Sequence, residues 1–160
     1  TILGGRSKEF VIMEDEMRKA SDELLICTDD GSYGKKGFVT VVLQELLDAK
    51  TPIDYCIAIG PPIMMRNVCK ITKPYGVTTY VSLNTIMVDG TGMCGSCRVT
   101  VDGKTRFVCV DGPEFNGHQV DFDEMFKRME TFKPLEDEAY RRHQKQMKKK
   151  HVRKVAMEGD

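Results

Sequence analysis

Asp89, Cys94, Cys97 and Cys109 follow the spacing D-x4-C-x2-C-x11-C near the middle of a 160-residue chain. Three thiols and a carboxylate gathered in one short segment are metal-binding chemistry, because thiolate is a soft ligand that suits iron–sulfur clusters and zinc. Cys97 and Cys109, if set opposite one another across a hairpin, could instead close a disulfide. Asp89 is the odd member: before a glycine it could equally be a turn residue whose carboxylate caps loop N–H groups. As a ligand it is harder than thiolate and should favour oxidised iron.

The local sequence says how the four could meet. Gly90, Gly92 and Gly95 let a short loop bend and turn its N–H groups inward. After Cys97 come Arg-Val-Thr-Val, Asp-Gly-Lys and Thr-Arg-Phe-Val-Cys, an alternating pattern around Asp-Gly that predicts a β-hairpin. A three-residue loop, Asp102 to Lys104, would set Cys97 directly opposite Cys109. With Cys in place of Asp89 the spacing would be the one that holds a [2Fe–2S] cluster in plant-type ferredoxins. A [2Fe–2S] cluster on Asp89, Cys94, Cys97 and Cys109 is the expectation, with zinc and a disulfide as rivals.

The rest of the chain must position that segment. Its length allows one domain or two small ones. There are 24 Lys and Arg against 24 Asp and Glu, so net charge gives no hint of nucleic acid. Six cysteines without a secretory leader predict a reducing compartment, the cytoplasm. No apolar run reaches membrane-spanning length, so no membrane association is expected.

Strands are expected at Thr1 to Gly4, Leu24 to Thr28, Tyr55 to Ile59 and Thr78 to Leu83. Helices are expected over Lys8 to Ala20, capped by Ser7, over Phe38 to Ala49 and from Pro62 to Lys70. Strand alternating with helix predicts an α/β fold, a parallel sheet with helices on its faces. Such sheets bind ligands in the loops after their strands. Gly60 permits close backbone approach, and Pro61 and Pro62 open a helix whose N–H groups could face an anion. In the loop before it, Asp29, Asp30 and Tyr33 could contact ribose or adenine. The bland alternatives are punctuation and a solvated loop.

Cys27, Cys56 and Cys69 lie in strand and helix segments, where a free thiol behaves as a small hydrophobe. His118, His143 and His151 sit in no motif. Phe10, Met13 and Met17 in one helix, and Phe122, Met125, Phe126 and Met129 in another, read as core faces. A last helix opens at Pro134 with Glu136, Asp137 and Glu138. It closes with Arg141, Arg142, Lys145, Lys148, Lys149, Lys150, Arg153 and Lys154, a polarity that suits the helix dipole. With few apolar residues, it reads as a solvated tail or as a docking arm for an acidic partner.

Ile-Leu-Gly-Gly-Arg-Ser, Thr-Asp-Asp-Gly-Ser-Tyr-Gly, Ile-Gly-Pro-Pro-Ile-Met-Met and the cluster motif occur in that order. Together they resemble the small subunit of NADH-dependent reduced ferredoxin:NADP oxidoreductase, also known as a sulfide dehydrogenase subunit, through about Lys133. The dihydroorotate dehydrogenase electron-transfer subunit is similar but carries a fourth Cys where this chain has Asp89, which favours the first family.

The resemblance implies more than the residues show. It implies an electron-transfer subunit of an iron–sulfur flavoprotein oxidoreductase, with NAD(P)H and FAD as further cofactors. It implies a large catalytic subunit carrying its own iron–sulfur and flavin centres as partner, with ferredoxin reached through the complex. It assigns the dinucleotide to Thr28, Asp29, Asp30, Gly31 and Tyr33, and to Gly60, Pro61, Pro62 and Met64. Against the family pattern, the FAD-binding β-barrel and the first strand of the nucleotide domain with its Gly-rich turn are absent. The expectation is a C-terminal fragment, inactive toward NADH alone, that closes up its sheet or exchanges strands in a dimer. Its parts would be a partial NAD(P)-binding domain over 1–83, the cluster segment over 84–120 and a helical tail over 121–160.

Overall fold

The computed structural model describes the backbone of residues 1–157 and the side chains of residues 1–147. Two short runs of mostly apolar residues, β1 (Ile2–Gly5) and β2 (Leu25–Thr28), pair in parallel with Leu3 opposite Ile26. The two-residue strand β3 (Lys35–Lys36) adds to β2 in parallel. The connection between β1 and β2 departs from the helix expected over Lys8 to Ala20. Only a 3-10 turn, Lys8–Phe10, precedes a break at Met13, which has a left-handed φ of 57°, before α1 (Glu14–Ala20) begins. At the start of this stretch the Ser7 hydroxyl donates to the Glu9 carboxylate at 3.1 Å and makes no cap bond to a backbone N–H. Phe10 and Met13 are 59% and 60% exposed, not part of the core face that their spacing predicts.

A second sheet begins with β4 (Tyr55–Ile59) and β5 (Thr78–Ser82), parallel and in register from Tyr55–Thr78 to Ile59–Ser82. Between them runs α3 (Pro62–Thr72), and α2 (Val39–Asp48) packs beside it. The third strand, β8 (Glu114–Asn116), runs antiparallel to β5 with Val81 opposite Phe115. The expected single parallel sheet is thus two three-stranded sheets, and the second is mixed. Among the described strands, β1 and β4 each pair along one edge. On the face toward α3, Ala58, Thr79, Val81 and Phe115 are buried. On the other face Tyr55, Ile57, Ile59 and Tyr80 are exposed.

The cluster segment is built on β6 (Arg98–Val101) and β7 (Lys104–Phe107), followed by the turn α4 (Val108–Asp111). The hairpin loop is the two residues Asp102 and Gly103, both at positive φ (52° and 68°), not the three predicted. Arg98 pairs with Phe107, so Cys97 faces Val108, whose N–H it holds at 3.2 Å, rather than Cys109. One hydrophobic core crosses residue 83: Leu43, Leu47, Met65, Val68 and Val81 pack with Val99, Val108, Phe122 and Met125. β8 crosses it as well. The segments before and after residue 83 therefore share one core.

Helix α5 (Phe122–Met129) starts where the Asp121 carboxylate accepts from the Glu124 N–H at 2.9 Å. It closes on α3 through Arg66, which reaches Asp123 at 3.3 Å and lies 4.8 Å from the centre of the Phe126 ring. Helix α6 (Lys133–Met157) follows, and all of its described side chains are exposed, as a solvated tail requires. Of the basic run, Lys148, Lys149, Lys150, Arg153 and Lys154 lie outside the described side chains, as does His151. Among the described residues no helix is long and apolar enough to cross a membrane.

Candidate functional site

Of the four expected ligands, the structure brings two thiols into contact. Cys97 Sγ stands 3.3 Å from Cys109 Sγ, with Cys97 buried and Cys109 half-buried. Two thiolates bound tetrahedrally to one ion at about 2.3 Å are about 3.8 Å apart, so this pair is spaced close to what a shared metal ion demands. The other two are exposed: Asp89 and Cys94 lie on the loop, with the Asp89 N–H beside the Cys94 sulfur. Ser96, through its hydroxyl and its N–H, holds the Cys94 thiol below its ordinary value. The neighbouring Cys97 thiol and desolvation push Cys109 the other way.

The loop that carries them is fixed by its carbonyls. Arg98 donates to Gly95 O at 3.2 Å, and Arg128 of α5 donates to Ser96 O at 3.2 Å. Thr85 Oγ1 donates to Cys97 O at 3.4 Å. With those carbonyls engaged, N–H groups remain for sulfur, and that of Gly92 lies beside Cys109. The Asp89 carboxylate accepts from the Thr91 hydroxyl. Among the described residues no three His, Cys, Asp or Glu side chains stand close enough together to hold a metal ion. The donor set fits a [2Fe–2S] cluster by its chemistry: soft thiols, two of them already in contact, on one segment with a carboxylate. Thr85 and Arg128 escape a reading of the sequence, because 12 and 32 residues separate them from the carbonyls they hold.

The residues expected to face a dinucleotide follow β2 and β4. Thr28 is fully buried, and its hydroxyl donates to Tyr33 O at 2.8 Å and accepts from Tyr33 N at 3.0 Å. It shapes the loop from within. Asp30 accepts from the Ser32 N–H and hydroxyl, which hold its carboxyl below the usual range. The Tyr33 hydroxyl donates to Glu14 of α1, and the Lys8 ammonium lies 5.3 Å from the centre of its ring. Asp29, Asp30 and Gly31 are exposed. At the other turn, Gly60 has a φ of 154°, Pro61 O accepts from the Met64 N–H at 2.9 Å, and the Met64 methyl folds over Gly60. Among the described residues no hydrogen bond joins the two loops. An open depression of about 400 Å³ lies elsewhere, lined by Tyr80, Lys104, Arg106, Asp111 and Glu114.

The other cysteines behave as packing. Cys27 and Cys69 are buried and Cys56 is half-buried. Desolvation, with Cys56 nearby, pushes the Cys69 thiol up to about 11.

Residues 84–121 match the family described as the iron–sulfur cluster binding domain of dihydroorotate dehydrogenase B. The chain is 51% identical over 89% of its length to a dihydroorotate dehydrogenase B (NAD(+)) electron transfer subunit homolog of Thermotoga maritima, covering 50% of that protein. It is 35% identical over 74% of its length to the corresponding subunit of Clostridium perfringens, covering 46% of it. Among solved structures, that of an NADH-dependent reduced ferredoxin–NADP oxidoreductase superposes with a TM-score of 0.79 at 49% identity, over 89% of this chain and 51% of that one. The chain spans about half the length of the relatives that it matches. By sequence and by fold the chain is similar to these proteins over about half of their length, and its residues 84–121 match the iron–sulfur cluster binding family.

Proposed function

We propose that the chain belongs to an electron-transfer subunit of an iron–sulfur flavoprotein oxidoreductase, with a [2Fe–2S] cluster held by Asp89, Cys94, Cys97 and Cys109. The observation that carries this is the 3.3 Å contact of Cys97 and Cys109, with Asp89 and Cys94 on the loop that leads into Cys97. Such a cluster moves one electron at a time, and so connects a two-electron hydride donor to one-electron carriers. The chain's own contribution is the cradle. Gly92 and Asp89 supply N–H groups to sulfur, Thr85 and Arg128 fix the loop carbonyls, and the buried Cys97 shields one side from water.

In this reading NAD(P)H binds across Asp29, Asp30, Gly31 and Tyr33 and the turn Gly60, Pro61, Pro62 and Met64, with Thr28 holding the first loop in shape. Both segments follow parallel strands, where ligands bind in such sheets. FAD and a large catalytic subunit complete the electron path. The half-length match to the relatives supports a longer protein as the active unit, with the piece of 160 residues silent toward NADH on its own. Cytoplasmic location fits the free thiols. The exposed Asp89 supports the ferredoxin–NADP oxidoreductase group over the dihydroorotate dehydrogenase group, in which the partner differs and the chemistry does not.

Anaerobic purification followed by visible spectroscopy and EPR of the dithionite-reduced chain tests the proposal. A reddish-brown protein with the signal of a one-electron-reduced [2Fe–2S] cluster is expected. A colourless protein with stoichiometric zinc, even after reconstitution with iron and sulfide, would overturn it in favour of a zinc-stabilised binding module.

A further inference from the structure

We infer that Cys97 and Cys109 are a disulfide-forming pair, and that closing this bond reversibly blocks loading of the metal-binding loop. The competing pair is Cys94 and Cys97, which have the C-x2-C spacing usual in dithiol redox motifs. The fold turns Cys94 out to solvent beside Ser96 and places Cys97 against Cys109, Sγ to Sγ at 3.3 Å. A disulfide needs about 2.0 Å between sulfurs, so the two must close by about 1.3 Å. The backbones that carry the two thiols are already held. Cys97 O accepts from Val108 N and Thr85 Oγ1, and the Phe107 N–H donates to the Asp111 carboxylate at 2.6 Å.

Burial sets the order of events. Cys97 is 2% exposed, so a reagent reaches the half-buried Cys109 first. The Cys109 thiolate attacks one sulfur of a small-molecule disulfide, such as oxidised glutathione, and expels one glutathione thiolate. The Cys97 thiolate then attacks the Cys109 sulfur and expels the second. Two protein thiols are oxidised, one glutathione disulfide is reduced to two thiols, and the two protons pass to the leaving thiolates. Cys94 has no cysteine sulfur in contact and stops at the mixed disulfide. The bond removes two of three thiolates from the ligand set, and Asp89 with Cys94 cannot hold a cluster alone. This last step rests on the proposed function; the pairing itself does not.

The chain is stripped with a chelator under reductant, desalted and treated with oxidised glutathione. Non-reducing peptide mapping is expected to show Cys97 joined to Cys109 and glutathione on Cys94, with the same cross-link in Cys94→Ser. After exposure to iron and sulfide and a second desalting, the oxidised chain carries no cluster absorption, whereas the chain treated first with a dithiol reductant does. A Cys94–Cys97 cross-link, or glutathione on all three cysteines, would overturn the pairing. Equal loading of the oxidised and reduced chains would overturn the blocking role. If the cross-link forms but the reduced chain takes up no iron and sulfide, the cluster reading and the block fall together while the pair stands.

Discussion

His118 Nε2 lies 3.1 Å from Thr72 Oγ1, and this contact ties the end of α3 to the segment that follows the cluster hairpin. Thr79 donates to the same Thr72 oxygen at 2.6 Å, and both threonines are fully buried. The His118 N–H in turn donates to Asn116 Oδ1 at 3.0 Å, next to the strand that joins the second sheet. Three elements distant in sequence thus meet on one polar cluster inside the shared core. A polar group buried there is stabilising only while each member keeps a partner.

Acid should loosen this joint. Desolvation, then the charge of Lys73, lowers the His118 pKa below 6.5, against a smaller opposing effect of the Cys69 backbone. The unfolded chain, with His near 6.5, then binds a proton more readily than the folded one. The His118 contribution is therefore complete above about pH 6.5 and is lost as pH falls through the depressed folded value. Urea midpoints of the chain and of His118→Gln, measured from pH 8 to 5, should converge at the acid end. Parallel curves would show that His118 does not titrate with folding.

The loop after β2 depends on Gly34, which has a φ of +63° and whose added Cβ would stand 2.3 Å from Ile26 O. Gly76 also has a left-handed φ, +68°, but with open space around it. Gly76→Ala should cost about 1–2 kcal/mol for the backbone conformation alone. Gly34→Ala should cost clearly more, because a backbone carbonyl cannot move aside, and it should make the 29–37 segment a site of early proteolysis. Equal unfolding midpoints for the two variants would remove the clash from the account.

Much of the fold is legible in the sequence, and the departures share a cause. β4, with its Cys-Ile-Ala-Ile run, and α3, opened by Pro62, lie where local pattern puts them, because apolar periodicity and proline act within a few residues. The cluster motif is legible because ligand spacing is itself local. The break at Met13 is not, since the spacing of Phe10, Met13 and Met17 runs through it unbroken. Nor is β8, three residues whose strand character comes from pairing with β5, more than 30 positions away. The two-residue hairpin loop is not legible because Asp-Gly serves loops of two and three residues alike, and Cys109 reaches Cys97 only through the turn of α4.

Asp89 is the ligand position whose substitution is most informative. A carboxylate stabilises oxidised iron more than a thiolate does, so Asp89→Cys should raise the midpoint potential of the reconstituted cluster and change its EPR g-values. Asp89→Ala should lower cluster retention, leaving Cys97 and Cys109 paired and Cys94 alone. Iron content after desalting and a redox titration read both effects. Variants indistinguishable from the parent chain would make Asp89 only the turn residue that its bond with Thr91 also allows.

The shared core makes a last prediction about Gly117. A Cβ there would lie 2.4 Å from Cys69 Sγ and 2.8 Å from Val81 Cγ1, so there is no room for alanine between α3 and β5. Gly117→Ala should destabilise the chain by about 2 kcal/mol, the usual range for overpacking a filled core. Cys69→Ala alone should also destabilise, by opening a small cavity. Together the two changes should be less harmful than their sum, because the methyl group enters the space that the sulfur leaves; Val81 still crowds it, so the rescue is partial. Urea midpoints of the two single variants and the double variant close that cycle. Strict additivity would mean that residue 117 and Cys69 do not compete for the same volume, and that the segment after the cluster hairpin sits on α3 more loosely than these distances require.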